Sequence, residues 1–139
     1  MQFVSSALAD LIVETLDAND LELPEVIVGI ANSGIPIANN VALELGAELA
    51  VIVPKKHLWE PERSGKESGY LLSNFAEVKG KSAVLIDDVI TTGKTTEDTL
   101  QLLEKLGATP QMAAVILDKA GVDELESVPV KSLLSASVL

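Results

Sequence analysis

SAVLIDDVITTGKTT, Ser82 to Thr96, is the stretch whose reading decides the fold. Ala83 to Ile86 is an apolar run too short for a helix and rich in β-branched residues, the mark of a buried strand. Asp87 and Asp88 stand at its carboxyl end. Val89 and Ile90 follow, and then a small, hydroxylated turn, Thr91-Thr92-Gly93-Lys94-Thr95. From Thr96 the spacing turns helical, with Leu100, Leu103 and Leu106 on one face. Glu97 and Asp98 near the start, Lys105 in the last turn and Gly107 beyond it suit the helix dipole and the stop signal. Such a turn offers backbone N–H groups and the positive end of a helix dipole to a phosphate. Two carboxylates beside it accept hydrogen bonds from vicinal hydroxyls or face a hydrated Mg²⁺. Together they make a place to hold a phosphorylated sugar.

The flanking chain supplies the rest of an alternating fold. Residues 3–17 form an amphipathic helix on Phe3, Val4, Ala7, Leu8, Leu11, Ile12 and Leu16. A polar loop leads to a second buried strand, Val26 to Ala31. Asn32-Ser33-Gly34 breaks it, and Pro36 sits where a first helical turn tolerates a missing N–H. Ile37, Ala38, Val41, Ala42 and Leu45 then mark a helical face that Gly46 ends. Leu49 to Val53 reads as a strand. Residues 54–80 are polar and lack a helical period, with Tyr70–Leu72 and Phe75–Val78 as short strand candidates. This is a hairpin-bearing excursion of the length that serves function or motion. Beyond the opening motif come a strand over Met112–Leu117, a loop over Asp118–Pro129 and a strand over Val130–Ala136. The alternation predicts an α/β fold in one domain, residues 1–139, with a parallel sheet flanked by helices on both faces. Ligands of such sheets bind beyond the strands' carboxyl ends at a switch point, where the turns after Ala31 and after Asp88 share a rim.

Composition narrows the function classes. At 139 residues and 47% apolar content the chain can bury a core without staples, and it has no cysteine for disulfides or thiolate metal sites. No apolar run approaches the roughly 18 residues of a membrane span, and no basic-then-hydrophobic leader opens the chain. The expectation is a soluble, cytoplasmic protein that binds no membrane. A net charge of −11 opposes nucleic-acid binding by this domain alone. The scarce basic residues cluster at Lys55, Lys56, His57, Arg63 and Lys66. Gly93-Lys94-Thr95 invites comparison with a triphosphate-binding loop, but that loop needs glycine at the position of Asp88, where a carboxylate repels a triphosphate. A GxGxxG dinucleotide fingerprint is also missing at Ala31 to Gly34.

VLIDDVITTGKT resembles, almost position by position, the signature of type I phosphoribosyltransferases: hydrophobic residues, two acidic residues, then small and hydroxylated residues around a glycine. The resemblance implies that Asp87 and Asp88 hold the ribose 2- and 3-hydroxyls of phosphoribosyl pyrophosphate (PRPP). It gives the 5-phosphate to Thr91, Thr92, Gly93, Lys94 and Thr95. The family's tight pyrophosphate loop after the first strand, often containing a cis peptide, falls on Ala31, Asn32, Ser33 and Gly34. Taken alone, this segment reads equally well as an ordinary βα turn. The basic residues after the next strand fall on Lys55 and Lys56, and a mobile closing loop on Arg63, Lys66 and nearby glycines. A solvated basic stretch is the other reading of that cluster. His57 proves little beside two lysines, and Trp59 reads as a packing anchor or a dimer contact. The implied reaction transfers phosphoribose from PRPP to a nucleobase with release of pyrophosphate. In it, Mg²⁺ is carried by PRPP near Asp87 and Asp88, Asp88 and Lys66 are the catalytic residues, and a homodimer is expected.

The likeness covers nearly the whole chain and is strongest to orotate phosphoribosyltransferases, with three departures. One helix stands where those enzymes build a hood over the base. ERSGKESGY carries lysine but no histidine, and Lys119 follows Leu117-Asp118 where an arginine often reads orotate. The runs PKKHLWE, SNFAEVKGK and LDKAGVDELESVPV resemble archaeal orotate-phosphoribosyltransferase-like regulators, in which a DNA-binding helix-turn-helix precedes such a domain. The resemblance therefore points first to an orotate-like transferase, with a non-catalytic sensor of PRPP or a related sugar phosphate, part of a transcriptional regulator, as the alternative.

Overall fold

The computed structural model of the chain describes residues 2–54, 69–71 and 77–136. Its elements run α1 (Gln2–Ala18), β1 (Val26–Ile30), α2 (Gly34–Leu45), β2 (Glu48–Pro54), β3 (Gly69–Leu71), β4 (Ser82–Ile90), α3 (Lys94–Lys105), β5 (Thr109–Asp118), β6 (Glu124–Leu125) and β7 (Val128–Ser135). The strands form a sheet ordered β3-β2-β1-β4-β5-β7-β6. The four inner pairings, β1–β2, β1–β4, β4–β5 and β5–β7, are parallel, and β3 and β6 add antiparallel edges. This is the α/β architecture that the alternation predicts.

Period-two alternation sorts the strand side chains into two cores. On one face Ile27, Val84, Ile86, Met112 and Ala114 meet Leu8, Ile12 and Leu16 of α1 and Ile37 and Val41 of α2. On the other, Val28, Ile30, Ala50, Ile52, Leu85 and Val115 meet Leu100 and Leu103 of α3. Gly29 lets α2 lie close to the sheet, since a Cβ there would stand 2.8 Å from Ala38 Cβ.

Several boundaries differ from the sequence-based expectation. Strand β4 continues through both carboxylates to Ile90, because its pairing with β5 persists as far as Ile90 opposite Asp118. Pairing with β1 stops at Ile86 opposite Gly29, so the last part of β4 has lost its neighbour on that side. The segment after Asp118 is not all loop. The chain forms a β6–β7 hairpin whose two turn residues, Glu126 and Ser127, both have positive φ, at 50° and 67°. Finally, of the expected strand Phe75–Val78, Phe75 and Ala76 lie outside the described residues, while Glu77 and Val78 belong to no strand, and Val78 O accepts the Lys81 N–H in a turn through Gly80. The other expected strand of the excursion is present as β3, paired to β2 through Leu71 opposite Ile52.

Candidate functional site

Order in the sheet explains where a cleft opens. Strand β2 lies to one side of β1 and β4 to the other, so the chain reverses its winding between β1 and β4. Helices leaving those two strands diverge, and the crevice between them lies beyond the carboxyl ends. A cleft of about 190 Å³ occupies this place. Its walls are Ile30 to Ser33 from the β1–α2 turn, Asp87 to Ile90 from β4, and Thr91 to Gly93 with Thr95 and Thr96 from the entry into α3.

The acidic pair is half-buried, and each carboxylate braces the chain that follows it. Asp87 Oδ1 accepts the Asp88 N–H at 2.8 Å, and Asp88 Oδ1 accepts the Val89 N–H at 2.8 Å. Thr92 Oγ1 does the same for the Lys94 N–H at 3.2 Å. Gly93, at φ 90°, takes the left-handed conformation that turns the chain into α3, and its carbonyl accepts the Glu97 N–H at 2.9 Å. The first turn of α3 thus begins at Lys94, two residues earlier than the spacing predicts.

The opposing turn is held against β4 by a missing side chain. A Cβ on Gly34 would stand 3.0 Å from Ile86 O and 3.6 Å from Asp87 Oδ1. Gly34 is buried behind the cleft, and its contribution is this close approach. Asn32 and Ser33 are exposed at the rim, the Ala31–Asn32 peptide is cis, and the Ala31 N–H is fixed to Ile52 O at 2.8 Å.

Of the residues singled out from sequence, Ala31, Asn32, Ser33, Asp87, Asp88, Thr91, Thr92, Gly93 and Thr95 come together around this one cleft. The Lys94 side chain does not line it; it is 72% exposed and paired with Asp98 at 3.2 Å, four residues along α3. Lys55, Lys56 and Lys66, with His57, Trp59 and Arg63, lie outside the described residues. Sequence reasoning missed Thr96, a buried hydroxyl residue lining the cleft, although it continues the Thr-rich run that drew attention to its neighbours.

The lining sets its own electrostatics. Among the described lining residues the charged side chains are the two carboxylates. Backbone amides, hydroxyls and the α3 N-terminus on this lining offer donors to an anion. Oxygen donors suit Mg²⁺. No cluster of three or more His, Cys, Asp or Glu side chains able to hold a metal occurs among the described residues. The two carboxylates are hard oxygen donors of the kind that a hydrated Mg²⁺ accepts. No helix among the described residues is long and apolar enough to cross a membrane.

Comparison with known proteins agrees with this geometry. The chain is 44% identical over 137 residues to the transcriptional regulator GfcR of Methanocella arvoryzae, covering 96% of this chain and 65% of that protein. It is 41% identical over 136 residues to the transcriptional regulator GfcR 1 of Methanosarcina barkeri, covering 96% and 64%. The chain thus spans slightly less than two thirds of the length of these relatives. The crystal structure of orotate phosphoribosyltransferase from Aeropyrum pernix superposes with a TM-score of 0.70 at 25% identity, over 95% of this chain and 71% of that one. Residues 4–137 match the phosphoribosyl transferase domain, and the chain belongs to that family.

Proposed function

We propose that this chain is a PRPP-binding domain that acts as the ligand sensor of a transcriptional regulator. The observation that carries the reading is the convergence of three elements on one cleft: the acidic pair, the hydroxylated turn into α3 and the tight turn after β1. Relatives named as transcriptional regulators, of which this chain spans about two thirds, support the sensing role. In this reading the α3 entry, Thr91 to Thr95, takes the 5-phosphate, and Asp87 and Asp88 accept the ribose hydroxyls. The Ala31–Gly34 turn takes the pyrophosphate, a role it shares with Lys55 and Lys56. Mg²⁺ arrives with PRPP and offsets the charge of the pyrophosphate beside the two carboxylates. The acting form is a homodimer.

Catalysis is the second reading, favoured by the likeness to the Aeropyrum pernix enzyme at 25% identity. Pyrophosphate would then leave C1 of the ribose as a base nitrogen attacks. Asp88 would hold the ribose and Lys66 would offset the charge on the leaving group. Titration calorimetry with PRPP and Mg²⁺, paired with a turnover assay over orotate and the other nucleobases, separates the two. Saturable binding without nucleotide formation is the expected result. Turnover would replace the sensor with the enzyme, and absence of binding would reject both.

A further inference from the structure

The phosphate turn has a wall that its own strand does not supply. Gly93, at φ 90°, has no side chain to restrain it, yet it is buried. A Cβ built there would stand 3.5 Å from Val122 Cγ2 and 3.7 Å from Leu125 Cδ1. Both side chains belong to the segment that follows β5, and both pack on the core that carries Leu100 and Leu103 of α3. The same segment reaches α3 a second time through Gln101 Nε2, which donates to Glu126 Oε2 at 3.1 Å.

One carboxylate shapes that segment. Asp118, the last residue of β5, is 4% exposed. Its Oδ1 accepts the N–H groups of Ala120 at 2.8 Å and Gly121 at 3.0 Å, and its Oδ2 accepts that of Val122 at 2.8 Å. A buried carboxylate needs such donors, and here three successive amides supply them. The main chain is pinned on both sides as well: Lys119 N–H donates to Ile90 O at 2.8 Å, and Ala136 N–H donates to Asp118 O at 3.0 Å. With its start fixed and its amides gathered on one side chain, the loop delivers Val122 onto Gly93.

We infer that Asp118 is a positioning residue for the 91–95 turn, acting through Val122 and Leu125 on Gly93, so that it governs ligands bearing a 5-phosphate and leaves the 31–34 turn alone. The inference rests on reading the 91–95 turn as the 5-phosphate seat. Removing the carboxylate releases three amides and the wall they hold, and the first-turn N–H groups of α3 lose their alignment.

Calorimetry with two separate probes, ribose 5-phosphate and Mg²⁺-pyrophosphate, tests it on the wild type, Asp118→Ala, Asp118→Asn and Leu125→Ala. Thermal unfolding reports whether each variant is folded. Asp118→Ala is expected to weaken ribose 5-phosphate by about tenfold, the scale of loss that a misplaced binding group brings. Pyrophosphate should change by less than about twofold, as for a separate site. Asp118→Asn should recover part of the loss, because its carbonyl oxygen replaces one acceptor. Leu125→Ala should reproduce the selective defect with the carboxylate intact, and it carries the test alone if Asp118→Ala does not fold. Equal losses for both probes, or unchanged ribose 5-phosphate affinity in both Asp118→Ala and Leu125→Ala, would overturn the inference. A wild type that binds neither probe would instead overturn the reading of the cleft.

Discussion

The two ends of the β1–β4 junction spend their polar groups in opposite ways. At the amino end the bonds run between strands. Glu25, just before β1, donates its N–H to Ser82 O at 3.1 Å and accepts the Ser82 N–H on Oε1 at 3.0 Å. Glu48 N–H reaches Glu25 O at 3.1 Å, Thr109 N–H reaches Lys81 O at 2.9 Å, and Gln111 Nε2 reaches Glu22 O at 2.8 Å. Lys81 adds an ion pair with Glu48, a hydrogen bond that raises its pKa above 10.5. The starts of β1, β2, β4 and β5 are thus tied to their neighbours. At the carboxyl end Asp87, Asp88 and Thr92 each bond a backbone N–H one or two residues ahead. Cross-strand bonds persist at this end between β1 and β2, β4 and β5, and β5 and β7, but β1–β4 pairing stops at Ile86 opposite Gly29, and the cleft lies beyond that point. A fold can close one end for stability and keep the other open for a ligand, using the same residue types.

Substitutions that respect or violate this division test it. The largest effect belongs to the packing on which both ends depend. Gly29→Ala would set a Cβ 2.8 Å from Ala38 Cβ and 3.1 Å from Gly34 O. Denaturant unfolding should show a loss of up to about 3 kcal/mol, as for overpacked cores. Adding Ala38→Gly should return part of it, and a double variant no better than the single would place the strain elsewhere. At the open end, Asp88→Asn should weaken PRPP in calorimetry by about 2 kcal/mol, roughly thirtyfold. Its unfolding midpoint should stay near that of the wild type, because an amide oxygen still serves the Val89 N–H. At the closed end Glu25→Ala should do the reverse, costing about 1 kcal/mol of stability with PRPP affinity unchanged. An affinity loss in Glu25→Ala would show that the ends are coupled.

Smallest of all is Lys81→Met, which removes an exposed pair whose worth falls with salt. The folded pKa of Lys81 lies above its ordinary value of 10.5. Its contribution is therefore complete below pH 10.5 and lost as the pH rises through the folded value. Melting temperatures of the wild type and Lys81→Met should converge in that alkaline range and also in high salt. A gap that persisted under both conditions would rule out the ion pair as its cause.

Much of the fold was legible because apolar runs and helical spacing name their elements directly. Where the sequence misleads, a local signal competes with a distant partner. The apolar run breaks at Asp87, yet β4 continues because β5 still pairs with it as far as Ile90. The β6–β7 turn uses Glu126 and Ser127, without the Asn or Gly that usually announces two positive φ values. At the candidate site, spacing located the acidic pair and both turns. It did not reveal that Lys94 turns along α3 to Asp98, nor that Gly34 serves by packing against Ile86 O. Asp118 looked like the first residue of a loop, and its three amide partners exist only once that loop has folded back.

Amide-resolved NMR during a titration with PRPP and Mg²⁺ tests the central claim most directly, because it reads both ends of the sheet at once. The account predicts saturable shifts at the amides of residues 31–34 and 87–95, with those of Glu25, Glu48, Ser82 and Thr109 unmoved. Shifts centred on the amino end, or none at saturating ligand, would contradict it.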